Sequence, residues 1–347
     1  MIHLIPYEGV GGVETAARTM HDVAQTDVSF DVGYIYRPAT VRKTLLGTYN
    51  PIRLVTAVVR IVSHRPDVLI VSLWRSAIVG LLVKLLCPRL KLVLFLHCPK
   101  DVHLLDRLVT RLAARAAGEI WADSNETLAR RLLQCPTHKG RVISFVTHRL
   151  AALSFRPVTP VFIFWGRLHP QKGLERALRI FSGVRDRIPS ARFMIIGPNG
   201  GDLVRLNRCV EEMALGNVVS FLGEMPLKDI VRQARAASFY LQASQLEGMA
   251  MSVVEAMQLG LVPVVTPVGE IASYCKHREN ALIISSDESA VKEILAVVGD
   301  DARYRLLRDN AVATWAEQPL YAQSVLQACR AILSNDTGRE GRQLEQS

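Results

Sequence analysis

Residues 161–173 have the sequence VFIFWGRLHPQKG, which predicts a buried strand, a tight glycine turn and the start of a helix. The strand is predicted over the short apolar run 161–166, and a helical pattern over 173–187 follows it. Similar pairs of strand and helix recur along most of the chain. This alternation is typical of an α/β protein with parallel sheets.

The predicted strands fall into two series of six, with helical patterns between them. The strands lie near 2–5, 28–36, 68–73, 91–97, 118–122 and 142–146, and then near 161–166, 192–197, 218–222, 238–242, 262–265 and 282–284. The sequence therefore predicts two doubly wound, Rossmann-like domains. Ligands of such sheets bind beyond the carboxyl ends of the strands, so a cleft between the domains is the expected site.

The segment 147–160 is the predicted linker, because it contains two prolines and shows no strong periodicity. The expected N-terminal domain is 1–155 and the expected C-terminal domain is 156–310. Further helical patterns over 311–334 are expected to pack back on the N-terminal domain, and the polar residues 335–347 are expected to form a frayed tail.

Positive charge is concentrated in the first half of the chain. The 347 residues contain 42 Lys and Arg against 32 Asp and Glu, a formal net charge of +10. Residues 1–155 hold 20 of the basic and 11 of the acidic residues, a net of +9, and the remainder is close to neutral at +1. An anionic partner would therefore meet the first half. Hydrophobic residues make up 49% of the chain and charged residues 21%, which excludes wholesale disorder.

No segment has the pattern of a membrane span, a signal peptide or a disulfide framework. The longest stretch without Asp, Glu, Lys or Arg is 256–269, which is shorter than a spanning helix and contains two prolines. The start, MIHLIPYEG, has no basic leader. The six cysteines are scattered without a C-x-x-C pair, so we expect reduced thiols and a cytoplasmic protein.

Three glycine-bearing segments follow predicted strands and could bind an anion. The first is Gly9-Val10-Gly11-Gly12, where glycine lets the backbone approach a ligand and the next helix offers free N–H groups. It lacks the G-x-G-x-x-G spacing of a nicotinamide-binding turn, and a plain flexible turn is the alternative.

The second segment is GRLHPQKG, residues 166–173. Arg167 and Lys172 are five residues apart across a turn that contains Pro170. An Arg fork and a Lys point charge could together bind a diphosphate, whereas the alternative is two solvated surface cations.

The third segment is SQLEGMAMSVVE, residues 244–255. A carboxylate such as Glu247 or Glu255 can bind the hydroxyl of a sugar or ribose, and the N–H groups near Ser252 can bind a phosphate. The alternative is a capping box, in which Glu255 only caps the helix that begins at Ser252.

The order of these segments resembles the family 4 glycosyltransferases, retaining enzymes of the GT-B fold, whose two Rossmann-like domains face a central cleft. The likeness covers most of the chain and is strongest from Val161 to Ile284. GRLHPQKG resembles the family's G-R-L-x-x-x-K-G, and EGMAMSVVE resembles its E-x7-E element. The continuation EAMQLGLVPVVTPVGE resembles E-A-x-x-x-G-x-P-V-V, and IIGPNGG and VVSFLGEMP stand where the family has nucleotide-side loops.

The resemblance implies roles for individual residues of the second domain. Arg167 and Lys172 would bind the donor diphosphate, Glu247 would face the donor sugar and Glu255 the nucleotide ribose. The backbone beside them would also contact the donor, at Gly166, Gly248, Met249, Ala250 and Met251. Ala250 stands where most members have a second glycine, and Gly269-Glu270 replaces the commoner double glycine.

In the first domain the likeness is shorter. Gly11 and Gly12 resemble part of the glycine loop that borders donor and acceptor, and His97, at the end of LVLFLH, resembles the family's histidine near the transferred sugar. Asp123-Ser124 falls where the family often has Ser, and its alternative role is an N-cap. A lone histidine at a strand end is otherwise more often structural.

The implied reaction moves a sugar from a UDP- or GDP-sugar to an acceptor hydroxyl with retention at the anomeric carbon. Arg167, Lys172 and nearby N–H groups would stabilise the leaving diphosphate, while Glu247 and His97 orient the sugar. No further cofactor and no bound metal are expected. The pair Asp300-Asp301 is interpreted as a helix cap.

The acceptor is expected on the first domain, and a bacterial lipid-linked or surface-polysaccharide acceptor suits its charge. The basic helices bearing Arg53, Arg60, Arg107, Arg111 and Arg115 favour peripheral contact with an anionic membrane, at its inner face, although such faces are usually only solvated. A nucleotide-sugar epimerase of the same fold and a non-catalytic basic binding protein are the alternatives. Nucleic acid is not an expected partner, because aromatic residues make up only 6% and no basic-aromatic interleaving occurs.

Overall fold

The computed structural model describes residues 1–8, 12–22, 28–36, 51–98, 100–101, 103–132 and 139–344, which form two compact units. Unit 1 comprises 1–148 and 319–347, and unit 2 comprises 149–318. The sequence placed these boundaries at 155 and 310 instead. The first boundary moves because the linker packs on unit 2, where Leu153 N–H donates to Leu259 O at 3.0 Å. The second moves because a helix of unit 2 continues past 310.

Unit 1 is built on a six-stranded parallel sheet in the order β2-β1-β3-β4-β5-β6. Its central strands β3 and β4 are apolar except for Ser72 at the end of β3 and Lys91 at the start of β4, as expected for strands of a buried parallel sheet. The strand predicted at 142–146 lies at 139–142, and the apolar side chains of Ile143, Phe145 and Val146 just beyond it are buried. The strands are β1 Ile2–Tyr7, β2 Asp31–Tyr36, β3 Val68–Ser72, β4 Lys91–Leu96, β5 Glu119–Ala122 and β6 Lys139–Val142.

In the described part of unit 1, five helices follow strands of this sheet, and α3 packs beside both α2 and α4. They are α1 Gly12–Arg18, α2 Pro51–His64, α3 Leu73–Leu86, α4 Leu104–Ala116 and α5 Asn125–Leu132. A 3-10 helix, Thr19–Asp22, extends α1.

Unit 2 is built on a second six-stranded parallel sheet, in the order β12-β11-β10-β7-β8-β9. The first strand of this unit, β7, lies between β8 and β10, which is the strand order of dinucleotide-binding folds. The order reverses between β7 and β10. The strands are β7 Val161–Trp165, β8 Arg192–Ile196, β9 Val219–Phe221, β10 Phe239–Gln242, β11 Val262–Val265 and β12 Leu282–Ile283.

The helices of unit 2 follow the predicted order, with one short addition at α10. They are α6 Leu174–Arg185, α7 Leu203–Glu212, α8 Leu227–Ala234, α9 Met251–Leu259, α10 Ile271–Tyr274, α11 Asp287–Val298 and α12 Asp301–Ala316. Asp300 caps α12 by accepting from Ala302 N–H and Arg303 N–H, both at 3.0 Å, so the prediction of a helix cap at this position is confirmed.

The last helix, α13 Tyr321–Leu344, belongs to unit 1. Tyr321 is buried, its N–H donates to Val146 O at 2.8 Å and its ring stacks on Phe95. Its backbone continues helically to Leu344, where the sequence predicted a frayed tail from 335. The glycines at 338 and 341 lower the helical propensity without ending the helix, and no proline interrupts it.

The described part of the chain contains no helix that is both long and apolar enough to cross a membrane. It also contains no group of three or more His, Cys, Asp or Glu side chains arranged to bind a metal ion.

Candidate functional site

The loops after β7 and β10 lie side by side in unit 2, at the point where the strand order reverses. Open α/β sheets bind their ligands at this position, beyond the carboxyl ends of the two strands. The loop after β7 is GRLHPQKG and the loop after β10 leads into EGMAMS. The two motifs that the sequence singled out, 75 to 80 residues apart along the chain, therefore start from neighbouring strands.

The two loops are in direct backbone contact. Gly173 has a left-handed φ of +64°, and a Cβ there would lie 1.9 Å from Ala243 O. Only glycine allows this approach. Gln171 joins the loops a second time, because its Nε2 donates to Leu246 O at 2.7 Å and its carbonyl accepts from Gln245 N–H at 2.9 Å.

Arg167 extends from the first loop into solvent. Its stem packs over Gly200 of the loop after β8, where a Cβ would lie 2.6 Å from Arg167 Cγ. Within the described ranges, its guanidinium forms no ion pair or hydrogen bond with another side chain or with the backbone. The stem of Arg167 is thus held by packing, and its guanidinium is available to bind a ligand.

Lys172 and Glu247, predicted to bind different parts of a donor, form an ion pair. Lys172 Nζ donates to Glu247 Oε1 at 2.7 Å and to Oε2 at 3.0 Å. Glu247 is 6% exposed and Lys172 is 19% exposed, so the pair is largely desolvated. Ser244 Oγ also donates to Glu247 Oε1, at 2.7 Å. The carboxylate is consequently fixed in position and charge-compensated.

Gln242 connects this pair to helix α9 and was not singled out by the sequence. Its Nε2 donates to Glu247 Oε1 at 3.0 Å and to Ser244 Oγ at 2.9 Å. Its Oε1 accepts from Tyr240 Oη at 2.6 Å and from Ser252 Oγ at 3.3 Å. Gln242 is fully buried, and a buried amide with every bond satisfied fixes its neighbours firmly. The sequence signal that could have identified Gln242 is a polar residue at the end of a strand, β10, that is otherwise mostly apolar.

Helix α9 begins with an uncapped N-terminus. Its N-cap is Ala250, which has a left-handed φ of +56° and contributes no side-chain cap. The predicted alternative of a capping box from Ser252 to Glu255 is wrong, because Ser252 lies inside the helix and bonds Gln242 and Tyr240. The carbonyl of Met249 accepts from Tyr274 Oη at 2.9 Å, which holds the turn before the helix.

Glu255 is paired with a tryptophan. Its Oε2 accepts from Trp165 Nε1 at 2.7 Å, whereas its Oε1 has no partner among the described residues. Burial raises the pKa of Glu255 to about 7, and the bond from Trp165 opposes that rise. The carboxyl therefore exists in both protonation states near neutral pH.

The backbone of Glu247 and Gly248 rests against a third loop. Gly269 has a φ of +57°, and a Cβ there would lie 2.2 Å from Glu247 O. Glu270 N–H donates to Gly248 O at 3.0 Å. Glycine is thus required at 269, whereas the residue after it needs only its N–H for this contact.

Unit 1 places His97 in a different kind of polar group. His97 Nε2 and His3 Nε2 both bond Ser72 Oγ, at 2.9 and 2.8 Å. Because the hydroxyl carries one proton, one ring donates to Ser72 and the other accepts from it when both bonds are satisfied. Burial lowers the pKa of each histidine to about 3, so both rings are neutral at physiological pH.

The glycine loop and the Asp123-Ser124 segment complete the residues predicted in unit 1. Gly12 begins helix α1 after β1, whereas Gly11 lies outside the described residues. Ser124 Oγ accepts from Thr127 N–H at 3.1 Å, so the cap of α5 is Ser124.

The comparisons with known proteins agree with the motifs of unit 2. Residues 151–313 match the family model of group 1 glycosyl transferases. The chain is 24% identical over 186 residues to the GPI3 subunit of phosphatidylinositol N-acetylglucosaminyltransferase from Saccharomyces cerevisiae. The aligned region covers 50% of this chain and 40% of that protein. It is 31% identical over 123 residues to a D-inositol 3-phosphate glycosyltransferase from Mycobacterium, covering 34% of this chain and 27% of that protein. The chain thus spans less than half the length of either relative.

The fold extends the likeness to both units. HepE from Anabaena, solved in complex with UDP and glucose, superposes with a TM-score of 0.78 at 18% identity, covering 96% of this chain and 99% of HepE. At this level of identity the similarity establishes the fold. The predicted fold class, α/β with two parallel Rossmann-like sheets as in GT-B proteins, is confirmed.

Proposed function

We propose that this protein is a retaining glycosyltransferase that moves a sugar from a nucleoside-diphosphate sugar to an acceptor hydroxyl. The observation that carries the proposal is the group of Arg167, the Lys172–Glu247 pair and the uncapped start of α9 on loops that flank the switch point. Cations and free N–H groups bind a diphosphate, and carboxylates bind sugar hydroxyls. The match of 151–313 to group 1 glycosyl transferases supports the same reading.

The chemistry follows from where charge develops. As the bond from the sugar to the diphosphate breaks, the leaving group gains negative charge, which Arg167, Lys172 and the first N–H groups of α9 stabilise. The acceptor hydroxyl attacks from the same face and passes its proton to the departing diphosphate oxygen, so no side chain forms a covalent intermediate. Glu247 positions the donor sugar, Glu255 Oε1 accepts from a ribose hydroxyl, and neutral His97 contributes a hydrogen bond to the transferred sugar.

The donor and acceptor classes are also proposals. HepE is solved with UDP and glucose, which favours a UDP-sugar over a GDP-sugar. The names of the yeast and mycobacterial relatives both contain a phosphorylated inositol, which favours a phosphorylated or lipid-linked acceptor hydroxyl, as in surface polysaccharide assembly. We place the reaction in the cytoplasm, at the inner face of a membrane.

A donor screen tests the assignment. UDP-, GDP- and ADP-sugars are compared by thermal shift, and the stabilising donor is then assayed for hydrolysis without an acceptor. At a hundredfold excess over Kd, a specific donor adds about 2.7 kcal/mol to the free energy of unfolding. Arg167→Ala should abolish most of this stabilisation while leaving the fold intact.

The matched control is Arg187→Ala, which removes an exposed arginine from the turn after α6. It should retain full stabilisation by the donor. Equal responses of both variants, or no stabilisation by any donor, would contradict the assignment. Formation of a new sugar nucleotide without an acceptor would indicate an epimerase instead.

A further inference from the structure

Three side chains of unit 1 come from neighbouring strands and share one hydroxyl. Ser72 ends β3, which pairs with β1 on one side and with β4 on the other. His3 of β1 bonds Ser72 Oγ through Nε2 at 2.8 Å, and His97, directly after β4, bonds the same oxygen through Nε2 at 2.9 Å. Ser72 therefore links His97, a residue of the candidate site, to His3, which has no role in the proposed chemistry.

Aromatic rings pack against both histidines. Phe95 of β4 stacks on His3 with the ring centroids 6.0 Å apart, and it contacts His97 with the centroids 4.3 Å apart. Phe145 meets the His97 ring edge-on at 5.4 Å. This packing holds each ring with Nε2 toward Ser72, so Nδ1 is the nitrogen left at either end of the group. Both Nδ1 atoms are buried and have no hydrogen-bond partner among the described residues.

The number of protons allows two arrangements of this group. Each neutral ring carries one N–H and Ser72 carries one O–H, so the two bonds run in the same direction along the group. In one arrangement His3 Nε2–H donates to Ser72 and the hydroxyl donates to His97 Nε2, which leaves the proton of His97 on Nδ1. In the reverse arrangement the unpaired N–H is at His3 Nδ1.

Burial favours the first arrangement. His3 is 1% exposed, so an N–H at its Nδ1 would be buried without an acceptor among the described residues. A buried N–H without an acceptor is rarer in proteins than a buried acceptor without a donor. His97 is partly exposed and lies at the carboxyl end of β4, the side on which open α/β sheets bind ligands. A ligand can therefore reach the ring of His97, whereas the ring of His3 is closed off.

We propose that His3 and Ser72 are positioning residues that hold His97 in the tautomer with its proton on Nδ1. His97 then offers the transferred sugar a hydrogen-bond donor, which selects a substituent with a free lone pair, such as a hydroxyl oxygen, over an ammonium group. The inference rests on the proposed function, in which His97 contacts that sugar. It adds a residue, His3, that acts on the sugar only through Ser72 and His97.

Ring ¹⁵N shifts in NMR of the full chain report the tautomers directly. In the unmodified protein His97 should be protonated on Nδ1 and bare on Nε2, and His3 should show the reverse. His3→Gln keeps an amide donor near the position of Nε2, so His97 should keep its tautomer. His3→Phe keeps the volume of the ring but removes the donor, so His97 should no longer show a single tautomer. If His3 served packing alone, His3→Gln would disturb His97 more than His3→Phe.

Acceptor-free hydrolysis of the donor is the second measurement. His3→Phe should lower kcat about fivefold, as expected when one neutral hydrogen bond to the sugar is lost. The KM for the donor should change less than about twofold, because the residues that bind the diphosphate are untouched. His3→Gln should retain the kcat of the unmodified protein. The matched control is His64→Phe, at an exposed histidine of α2, which should change neither the His97 tautomer nor kcat.

Three results would overturn the proposal. One is a His97 ring protonated on Nε2 in the unmodified protein, a measurement that needs no variant to fold. Another is an unchanged His97 tautomer in His3→Phe, and the third is an equal loss of kcat in His3→Gln and His3→Phe. The tautomers are measured without a nucleotide sugar, so the predicted tautomer can be refuted while donor binding persists, or confirmed while donor binding fails.

Discussion

The polar groups on the parallel sheets of the two units differ in charge. Unit 2 uses charge, in the Lys172–Glu247 pair, the exposed Arg167 and the titrating Glu255. Unit 1 uses a neutral group, in which Ser72 joins His3 and His97. Seven of its cations instead lie on helices α2, α3 and α4. The difference indicates that the same sheet architecture can carry a charged polar group in one unit and a neutral one in the other.

The largest effect on stability is expected from substitutions at the Lys172–Glu247 ion pair of unit 2. Lys172→Ala leaves Glu247 buried without its cation, and it should lower the free energy of unfolding by about 3 kcal/mol in urea denaturation. Lys172→Met/Glu247→Gln should recover most of this loss, because no buried charge remains. Donor stabilisation should be absent from both variants.

The control is Arg176→Ala, which removes a more exposed pair with Asp287. Its cost should be below about 1 kcal/mol. Equal costs for Lys172→Ala and Arg176→Ala would show that the pair in the site is no more important to stability than one at the surface.

The second prediction concerns Glu255. Its folded-state pKa of about 7 lies above the ordinary carboxyl value of 4.5, so the folded protein binds more protons than the unfolded chain between these values. Stability from this group is therefore full below pH 4.5 and is lost as the pH rises through 7. Relative to Glu255→Gln, the unmodified protein should lose about 2–3 kcal/mol between pH 4.5 and 8. A difference that is independent of pH in paired urea titrations would refute this.

The third prediction concerns His3 of unit 1, whose contribution to stability changes with pH in the opposite direction to that of Glu255. The pKa of His3 is about 3, below its ordinary value of 6.5, so the folded protein binds fewer protons in that interval. Its stabilising contribution is full above pH 6.5 and is lost as the pH falls. His3→Gln should reduce the acid-induced loss of stability by about 2 kcal/mol at pH 5.

His64→Gln, at an exposed histidine of α2, serves as the control. It should leave the loss of stability at acid pH as it is in the unmodified protein. Ring ¹⁵N shifts in NMR provide a separate check: His3 and His97 should both remain neutral at pH 5. A titration of either ring near pH 6.5 would contradict the neutral group.

The smallest effect is expected at the start of α9. Ala250→Gly should relieve a left-handed backbone and raise the free energy of unfolding by about 1 kcal/mol. Ala256→Gly, inside the same helix, should instead lower it by about 1 kcal/mol. The same sign for both substitutions would show that the backbone at 250 is not strained.

The sequence predicts the parts of unit 2 that depend on short-range pattern. Apolar runs and helical periods predict the six strands of unit 2 along the chain, and the glycine spacing places both motif loops after strands. The partners within the site are less accessible. Ser252 and Glu255 satisfy a local capping pattern, yet their bonds go to Gln242 and to Trp165, which is 90 residues away.

In unit 1 the side-chain partners are even less predictable from the sequence. His97 could be singled out at a strand end, but nothing local links it to Ser72 or to His3, which come from two other strands. The left-handed backbone at Ala250 was equally hidden, because alanine ordinarily favours helix and gives no turn signal. Side-chain partners follow from how strands are ordered in the sheet, and composition does not encode that order directly.

The return of α13 to unit 1 has a consequence for folding during synthesis. All of unit 2 leaves the ribosome before Tyr321, whose ring completes the aromatic cluster with Phe95 and Phe145. All strands of unit 1 are therefore translated before its last helix, and the 170 residues of unit 2 are translated and can fold in between. The first part of the protein to emerge is therefore the last to be completed.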